Sequence, residues 1–230
     1  MSKINAEYID HMGNDLSVVR AAKVSFADDK TVMRFIDDIE AEELGCRSHA
    51  ALIGYLAKHD HWTPFAHTAI TFRVSAPVPI RTQCFKHKQG FVENEESRRY
   101  ISSTPEFFVP EEFRSAPNNG AKQGSDGMHY DSSYWIGRYE DNCRMAIDLY
   151  EYMIVDGVCP EQARFVLPQG CMVNWYWTGS LAAYARFYKQ RTDPHAQKEI
   201  RDLAEIIGVK IANLFPVSWA TLTRKTSCTI

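Results

Sequence analysis

Several features that define large protein classes are missing from this sequence. Its 230 residues contain no run of eighteen or more apolar residues, so no membrane-spanning helix is predicted. The twelve glycines form neither G-x-G-x-x-G nor a P-loop, which excludes those two cradles as a means of holding a nucleotide. The formal net charge of -3 gives no general affinity for nucleic acid or anionic membranes, so any phosphate site must be local.

Patterns typical of metal sites and redox sites are missing as well. The sequence has no H-E-x-x-H, and its six cysteines form no C-x-x-C pair. Together with a polar N-terminus, this favours a cytoplasmic protein with reduced thiols and no disulfide framework. The cysteines are Cys46, Cys84, Cys143, Cys159, Cys171 and Cys228.

The apolar residues, 45% of the chain, are sufficient for one core. Alternation of Ile70, Phe72 and Val74 with polar residues predicts a strand. Helical spacing predicts helices that begin after Asn14 or Asp15, after Ser48, within 139–157, after Ser180 and after a cap at Asp193. Because helices and strands do not alternate along the chain, we predict an α+β fold for residues 1–230, a single domain with a small, mainly antiparallel sheet packed with helices.

Two segments between these elements have a distinct composition. Pro79 can open a short helix over "IRTQCFKHK", residues 80–88, which would set Gln83, Lys86 and His87 on one adjoining surface. Residues 104–135 are rich in Pro, Gly, Asn, Ser and Asp, which predicts a long surface loop. No chemistry is assigned to this loop.

The segment "CFKHKQGFVENEESRRY" has many charges but no apolar period of a helix or strand. Its four cations, Lys86, Lys88, Arg98 and Arg99, are suited to phosphate oxygens, while Asn94 and Ser97 are suited to a base edge or a ribose. Alternatively, Glu93, Glu95 and Glu96 neutralise the cations in a solvated turn. A rival function is a nucleotide or single-stranded nucleic-acid binding module that uses residues 86–99, with Phe85, Phe91 and Tyr100 as stacking platforms.

Histidines and two isolated arginines complete the candidate residues. His59 and His61 would need a third ligand to bind a metal for a hydrolase, and they are otherwise polar residues of a turn. In a third alternative, His61 and Thr63 reach a ligand beside the charged segment. Arg164 sits in an otherwise apolar turn and Arg191 ends a helical pattern, and a cation at either place commonly complements a helix C-terminus.

Taken together, these segments resemble the flavin-dependent thymidylate synthases. The signature of that family, R-H-R followed by N-E-x-S-x-R-Y, appears as "KHK" at residues 86–88 and "NEESRRY" at residues 94–100. The segments "MGNDLSVVRAAKVSF", "HDHWTPFAH", "ARFVLP" and "QRTDPHAQKEIR" resemble the family in the same order. The resemblance implies an enzyme that methylates dUMP to dTMP with 5,10-methylenetetrahydrofolate as carbon donor, FAD as cofactor and NADPH as reductant. It also implies a homotetramer with active sites at subunit interfaces, and no metal, nucleic-acid or membrane partner.

The resemblance also implies which residues form the site. The implied dUMP contacts are Gln83, Cys84, Phe85, Lys86, Glu95, Glu96, Ser97, Arg98, Arg99, Arg164 and Arg191. The implied FAD contacts are His61, Thr63, Lys86, His87, Lys88, Glu95, Ser180, Leu181, Ala182 and Arg186. Arg191 is the predicted catalytic residue, because a guanidinium at the uracil ring stabilises negative charge as N3 ionises and makes C5 more nucleophilic. Cys84 is interpreted as a packing residue, since the flavin and not a cysteine supplies the reducing power.

Three departures from the family pattern carry expectations of their own. Lys86 and Lys88 replace the two signature arginines, which keeps the charge but loses the bidentate fork. The spacer before Asn94 is one residue longer than usual, so residues 89–93 are expected to bulge. Ser180 and Ala182 stand where the family often has Asn and Arg, which leaves Arg186 as the replacement cation.

Overall fold

The computed structural model describes residues 3–26, 34–101, 103–118, 120 and 124–224. Its strands are β1 (Asn5–Met12), β2 (Ala69–Pro77), β3 (Phe91–Glu95) and β4 (Met172–Gly179). Its α-helices are α1 (Asp15–Ala22), α2 (Asp38–Glu43), α3 (His49–Lys58), α4 (Val78–Cys84), α5 (Ser132–Val155), α6 (Pro160–Ala163), α7 (Leu181–Arg191), α8 (Lys198–Leu214) and α9 (Pro216–Thr223). Short 3-10 helices occupy Val24–Phe26, Thr63–Ala66 and Arg164–Val166.

The four strands form one antiparallel sheet in the order β1-β2-β4-β3. In β2, Ile70, Phe72 and Val74 are fully buried, as their alternation with polar residues predicted. They meet β4 in a continuous register that runs from Ile70 opposite Gly179 to Pro77 opposite Met172. The predicted α+β class with a mainly antiparallel sheet is therefore confirmed.

The core lies where one face of the sheet meets α3, α7, α8 and α9. Aromatic rings fill its centre: Phe91 stacks on Trp177 at 4.3 Å between centroids, and Phe187 meets Trp177 edge-on at 4.9 Å. The hydroxyl of Tyr184, buried in the same cluster, donates a hydrogen bond of 2.8 Å to the carbonyl of Trp177. The predicted apolar stripe of α8 faces this core, since Ile200, Leu203, Ala204, Ile207 and Ile211 are all buried.

The last helix of the described chain is tied to the first by a buried carboxylate. Asp15 begins α1, and its two oxygens accept hydrogen bonds of 2.9 Å from the backbone N–H groups of Val217 and Ser218. These donors belong to the first turn of α9, where N–H groups have no partner within the helix. Asp15 thus caps α9 across the core, while Asn14 caps α1.

Several boundaries differ from the predictions. Strand β1 was not predicted, because it is an edge strand in which Ala6 is buried and the residues around it are exposed. Helix α8 begins at Lys198, and not after a cap at Asp193, because Asp193 and the residues that follow it form turns. Helix α5 begins at Ser132, inside the loop predicted over 104–135; of that loop, residues 119 and 121–123 lie outside the described residues.

Helix α4 is shorter than predicted. It ends at Cys84, and Lys86 and His87 continue in turns in which their N–H groups bond to the carbonyls of Gln83 and Cys84. Gln83 and His87 nevertheless adjoin, because both bond to Arg191, whereas Lys86 is exposed. The expected bulge over 89–93 is also wrong, because β3 pairs regularly with β4. The turn before β3 contains Gly90, whose φ of 80° is in the region that favours glycine.

Among the described cysteines, Cys84, Cys143 and Cys171 are buried and none is in a disulfide; Cys228 lies outside the described residues. None of the described helices is both long and apolar enough to cross a membrane.

Candidate active site

Three cavities contain most of the predicted site residues. The first, the Arg191 cavity, has a volume of about 740 Å³ and is lined by Gln83, Arg114, Ser125, Arg191, His195 and Gln197, among others. The second, the arginine cavity, has a volume of about 550 Å³ and is lined by Arg81, Glu95, Ser97, Arg98, Arg99 and Arg164, among others. The third, the His61 cavity, has a volume of about 230 Å³ and is lined by His61, Trp62, Gln89, Ala182, Arg186 and Lys189, among others.

Arg191, the last residue of α7, is held in place by Gln83 of α4 and by His87 in the turn that follows α4. Its Nε donates a hydrogen bond of 2.9 Å to Nε2 of His87. Its two terminal nitrogens lie 3.4 Å from the side-chain and backbone oxygens of Gln83. Gln83 in turn donates to the side chain of Gln197 at 2.7 Å. The guanidinium is thus a fixed, half-buried cation at the wall of its cavity, which is the geometry that electrostatic stabilisation requires.

His87 is a neutral acceptor in this arrangement. Burial lowers the pKa of His87 from 6.5 to about 4, and the charges of Arg191 and Arg186 act in the same direction. Because Nε2 accepts from Arg191, the proton of the neutral ring lies on Nδ1. The ring also meets Phe187 edge-on at 5.1 Å, which fixes its plane.

We expect the imidazole of His87 to remain uncharged down to a pH of about 4. The pH dependence of its ring-nitrogen shifts in labelled protein measures this, with His87→Gln to assign the signals. Arg191→Ala should move the midpoint upwards, because it removes a nearby positive charge. Since the folded pKa lies below that of an unfolded histidine, this group makes the fold less stable as pH falls from 6.5 towards 4. A midpoint near 6.5 in the folded wild type would contradict the arrangement.

The arginine cavity lies between α4, the end of β3 and the turn at Arg164. Burial raises the pKa of Glu95, and the charges of Arg81 and Arg164 oppose that rise. Nε of Arg81 lies 3.3 Å from a carboxylate oxygen of Glu95, and Nε of Arg99 donates to the hydroxyl of Ser97 at 3.3 Å. Four guanidinium groups against two carboxylates make this cavity positive, which suits a phosphate-bearing ligand.

Three of the predicted dUMP contacts do not line either of these cavities. Cys84 is fully buried in the core, where burial raises its pKa to about 12, and Phe85 packs edge-on against Trp175 at 5.7 Å. Any contact of Cys84 with a nucleotide is therefore limited to its backbone, and its interpretation as a packing residue is confirmed. Lys86 is exposed and lines none of the three cavities.

The alternative in which glutamates neutralise the cations in a solvated turn holds for part of the charged segment. Lys88 pairs with Glu93 and lies over the ring of Phe85 at 5.4 Å, so it is engaged across its own turn. Glu96, at the edge of the arginine cavity, accepts a hydrogen bond of 2.7 Å from Asn174. Arg99, in contrast, has no carboxylate partner among the described residues and lies at the cavity wall.

The His61 cavity brings together part of the predicted FAD set. Arg186 donates to the carbonyl of Gln89 at 2.7 Å, and Lys189 follows one turn later on α7 at the same cavity. Two cations beside the aromatic rings of His61 and Trp62 fit a ligand that has both phosphate groups and a planar ring, as a flavin dinucleotide has.

The other predicted FAD contacts near α7 have structural roles. The Ser180 side chain caps α7 by accepting from the N–H of Ala183, and the Leu181 side chain is fully buried in the core. The N–H of Leu181 donates to the hydroxyl of Thr68, so neither group of Leu181 is available to a cofactor. Thr63 is exposed on a 3-10 helix outside the three cavities.

Sequence reasoning missed functional candidates in all three cavities. Arg114, in the loop to which no chemistry was assigned, pairs with Glu199 at 2.8 Å and forms a wall of the Arg191 cavity. Burial alone raises the pKa of Glu199, but hydrogen bonds led by that from Arg114 bring it below its usual value. Lys189 was detectable by its helical spacing from Arg186, whereas nothing local in sequence indicated Arg81 or Arg114.

The histidine pair does not form a metal centre with other residues. The rings of His59 and His61 lie 6.4 Å apart, and that of Tyr55 contacts both. Across the part of the chain that the structure describes, no group of three or more His, Cys, Asp or Glu side chains is arranged to hold a metal ion.

Helix α4 separates the first two cavities. It contributes Arg81 to the arginine cavity and Gln83 to the Arg191 cavity, and the two cavities share no lining residue. Two positions along an α-helix differ by about 200°, so these side chains leave opposite sides of α4. Within the single chain, the predicted catalytic residue and the predicted phosphate ligands therefore lie on two different surfaces.

The fold and these cavities define a single-domain α+β protein equipped to bind anionic ligands. A family profile described as "Thymidylate synthase complementing protein" matches residues 7–217. The chain belongs to the flavin-dependent thymidylate synthase family, as the sequence resemblance predicted.

Relatives and solved structures match over most of this chain. It is 35% identical over 213 residues to a flavin-dependent thymidylate synthase from Thermus thermophilus, covering 92% of this chain and 73% of the relative. The enzyme of the same name from Streptomyces avermitilis is 30% identical over 230 residues, covering 95% and 90%. A crystal structure of the UMP/dUMP methylase PolB from Streptomyces cacaoi bound with 5-Br dUMP is similar, with a TM-score of 0.83, 29% identity and coverage of 96% and 95%.

Proposed function

We propose that this protein catalyses the reductive methylation of dUMP to dTMP. In this proposal 5,10-methylenetetrahydrofolate donates the carbon, FAD is the cofactor, and NADPH is the reductant. The observation that carries the proposal is the positive arginine cavity formed by the signature segment, with a second, separate cavity in which Arg191 is rigidly held. The ligand of the PolB neighbour, a brominated dUMP, supports the same nucleotide class.

Each part of the nucleotide has complementary side chains. Arg99 and Arg164 are suited to the phosphate because a guanidinium can donate two parallel hydrogen bonds to it. Ser97 and Gln83 supply hydrogen bonds to the sugar and base. Arg191 faces the uracil ring, where its fixed positive charge stabilises the anion that forms as N3 ionises, and this makes C5 the nucleophile.

The residues present fit part of a flavin dinucleotide at the His61 cavity, whose volume of about 230 Å³ is smaller than the whole cofactor. His61, Arg186 and Lys189 would hold it there, with Ala182 leaving room at the start of α7. When bound, the reduced flavin supplies the hydride for the methylation. The role of this chain is to orient the rings of cofactor, nucleotide and folate and to exclude water from them.

The active protein in this proposal is a homotetramer with active sites at subunit interfaces. Because α4 separates the two cavities within one protomer, a site that uses both Arg191 and Arg99 is completed only when a second copy brings its arginine cavity to the Arg191 cavity. Self-association is further supported by α5, whose apolar residues Met145, Tyr152 and Val155 are 64%, 72% and 86% exposed.

The nucleic-acid binding alternative has less support. Of its three stacking platforms, Phe91 is buried against Trp177 and Phe85 packs on Trp175, which leaves only Tyr100 exposed. A groove for single strands needs successive exposed rings.

The test is the absorption spectrum of the purified protein. A flavin spectrum should be bleached by NADPH and should return in a dUMP-dependent way when methylenetetrahydrofolate is added, with dTMP as product. Turnover should be unaffected by a chelator, because the proposal contains no metal. Protein that stays colourless after FAD is added, but binds oligonucleotides, would contradict the proposal in favour of the binding module.

A further inference from the structure

We propose that Arg81 is a further substrate-binding residue, which donates hydrogen bonds to the phosphate group of the nucleotide. This inference rests on the proposed function and adds to it a residue outside the set that the family resemblance implies. It predicts a role in specificity, namely the preference for a nucleotide over the corresponding nucleoside.

Arg81 occupies a prepared position at the arginine cavity. Its guanidinium lies over the ring of Phe85 at 5.3 Å, and its Nε faces Glu95 at 3.3 Å. The side chain is 26% exposed, so it is neither a free surface cation nor sealed in the core. Among the described residues its terminal nitrogens have no hydrogen-bond acceptor, and these are the two donors that a phosphate oxygen pair would engage.

Neither lysine of the signature segment provides such a pair of donors for the phosphate. Lys86 does not line the arginine cavity, and Lys88 is engaged by Glu93. A lysine is also a point charge that cannot bind two phosphate oxygens in one plane. Arg98, although at the cavity, already donates to the carbonyl of Ser103 at 2.5 Å. Arg81, on α4, can therefore supply the bidentate hydrogen bonds that Lys86 and Lys88 cannot form.

The charges around Arg81 also favour an exchange of partners. With Glu95 and Glu96 as the carboxylates of this cavity, its four guanidinium groups leave two positive charges without a carboxylate. A phosphate dianion brings two negative charges, which matches this excess. Arg81 can then keep its ion pair with Glu95 and offer its terminal nitrogens to the phosphate, because an arginine has five donors in a fixed geometry.

The test compares two ligands that differ only by the phosphate. Dissociation constants for dUMP and for deoxyuridine are measured with FAD-loaded protein by titration of the flavin spectrum at constant ionic strength. For Arg81→Gln we expect about 10- to 100-fold weaker binding of dUMP, and the same deoxyuridine affinity as wild type. The dUMP affinity of Arg81→Lys should lie between those of wild type and Arg81→Gln, because lysine keeps the charge but cannot donate two parallel hydrogen bonds.

Arg34→Gln is the matched control, since it removes a cation that is paired with Glu40 and lines none of the three cavities. It should leave the ratio of the two dissociation constants unchanged. Equal weakening of dUMP and deoxyuridine in Arg81→Gln would show that Arg81 only positions Glu95, and would overturn the proposal, as would unchanged dUMP affinity. If Arg81→Gln fails to fold, Arg81→Lys takes its place, and an unchanged ratio there overturns the proposal too. Wild-type protein that binds no dUMP would overturn the proposed function itself.

Discussion

Arg191→Ala is expected to lower dTMP formation by about 100- to 1,000-fold while the protein keeps its fold and its flavin. The guanidinium is held by His87 and Gln83 at the wall of its cavity, so it needs no rearrangement when charge develops on the uracil ring. Removal of one such preorganised donor lowers turnover by about 100- to 1,000-fold. The measurement is single-turnover formation of dTMP, with flavin content determined from the absorption spectrum of the same sample.

Two further variants make this result specific. Arg191→Lys keeps the positive charge but loses the contacts to both His87 and Gln83, so its turnover should remain well below wild type. Lys210→Ala removes an exposed cation of α8 away from the cavities and should behave as wild type. Near-normal turnover in Arg191→Ala would show that the catalytic role given to Arg191 is wrong.

The double variant Arg99→Ala, Arg164→Ala is expected to bind dUMP about 100- to 1,000-fold more weakly than wild type. Each single substitution removes one guanidinium from the arginine cavity and should weaken binding by about 30-fold. Because both arginines would bind the same phosphate, their effects are coupled, and the double variant should fall between the effect of one substitution and the product of both. Equilibrium titration with dUMP measures all three variants.

The stability of these variants should change little, because both side chains are exposed in the protomer. Arg34→Ala, which removes a cation paired with Glu40 away from the cavities, serves as the control for net charge. Binding of dUMP by the double variant within a few-fold of wild type would contradict the phosphate role of both residues.

The elements that sequence reasoning found are those whose burial is periodic. In β2 every second residue is buried, and in α8 the stripe from Ile200 to Ile211 faces the core, so both periods are visible in the sequence. The cap of α3 at Ser48 is equally local, since its side chain bonds to Ala51 three residues on. Edge strand β1 has no such period, because neighbouring residues on both of its faces are exposed.

Only part of the candidate site could be predicted from the sequence, for a physical reason. The signature segment and Arg191 could be identified by motif, but their separation by α4 depends on which sides of a seven-residue helix Arg81 and Gln83 leave. A sequence-based prediction that misplaces the end of α4 therefore cannot show that the two cavities are separate. Arg114 shows the same limit, because its partner Glu199 lies 85 residues further along the chain.

Asp15 constrains the order in which parts of the chain can fold during synthesis. Its carboxylate is synthesised before its two donors, which lie 202 and 203 positions later in the chain. At ordinary rates of translation the delay is on the order of tens of seconds. During that interval Asp15 stays hydrated, because its burial without these donors would cost desolvation energy that nothing offsets. Helix α1 should therefore take its place in the core only after the start of α9 has been synthesised.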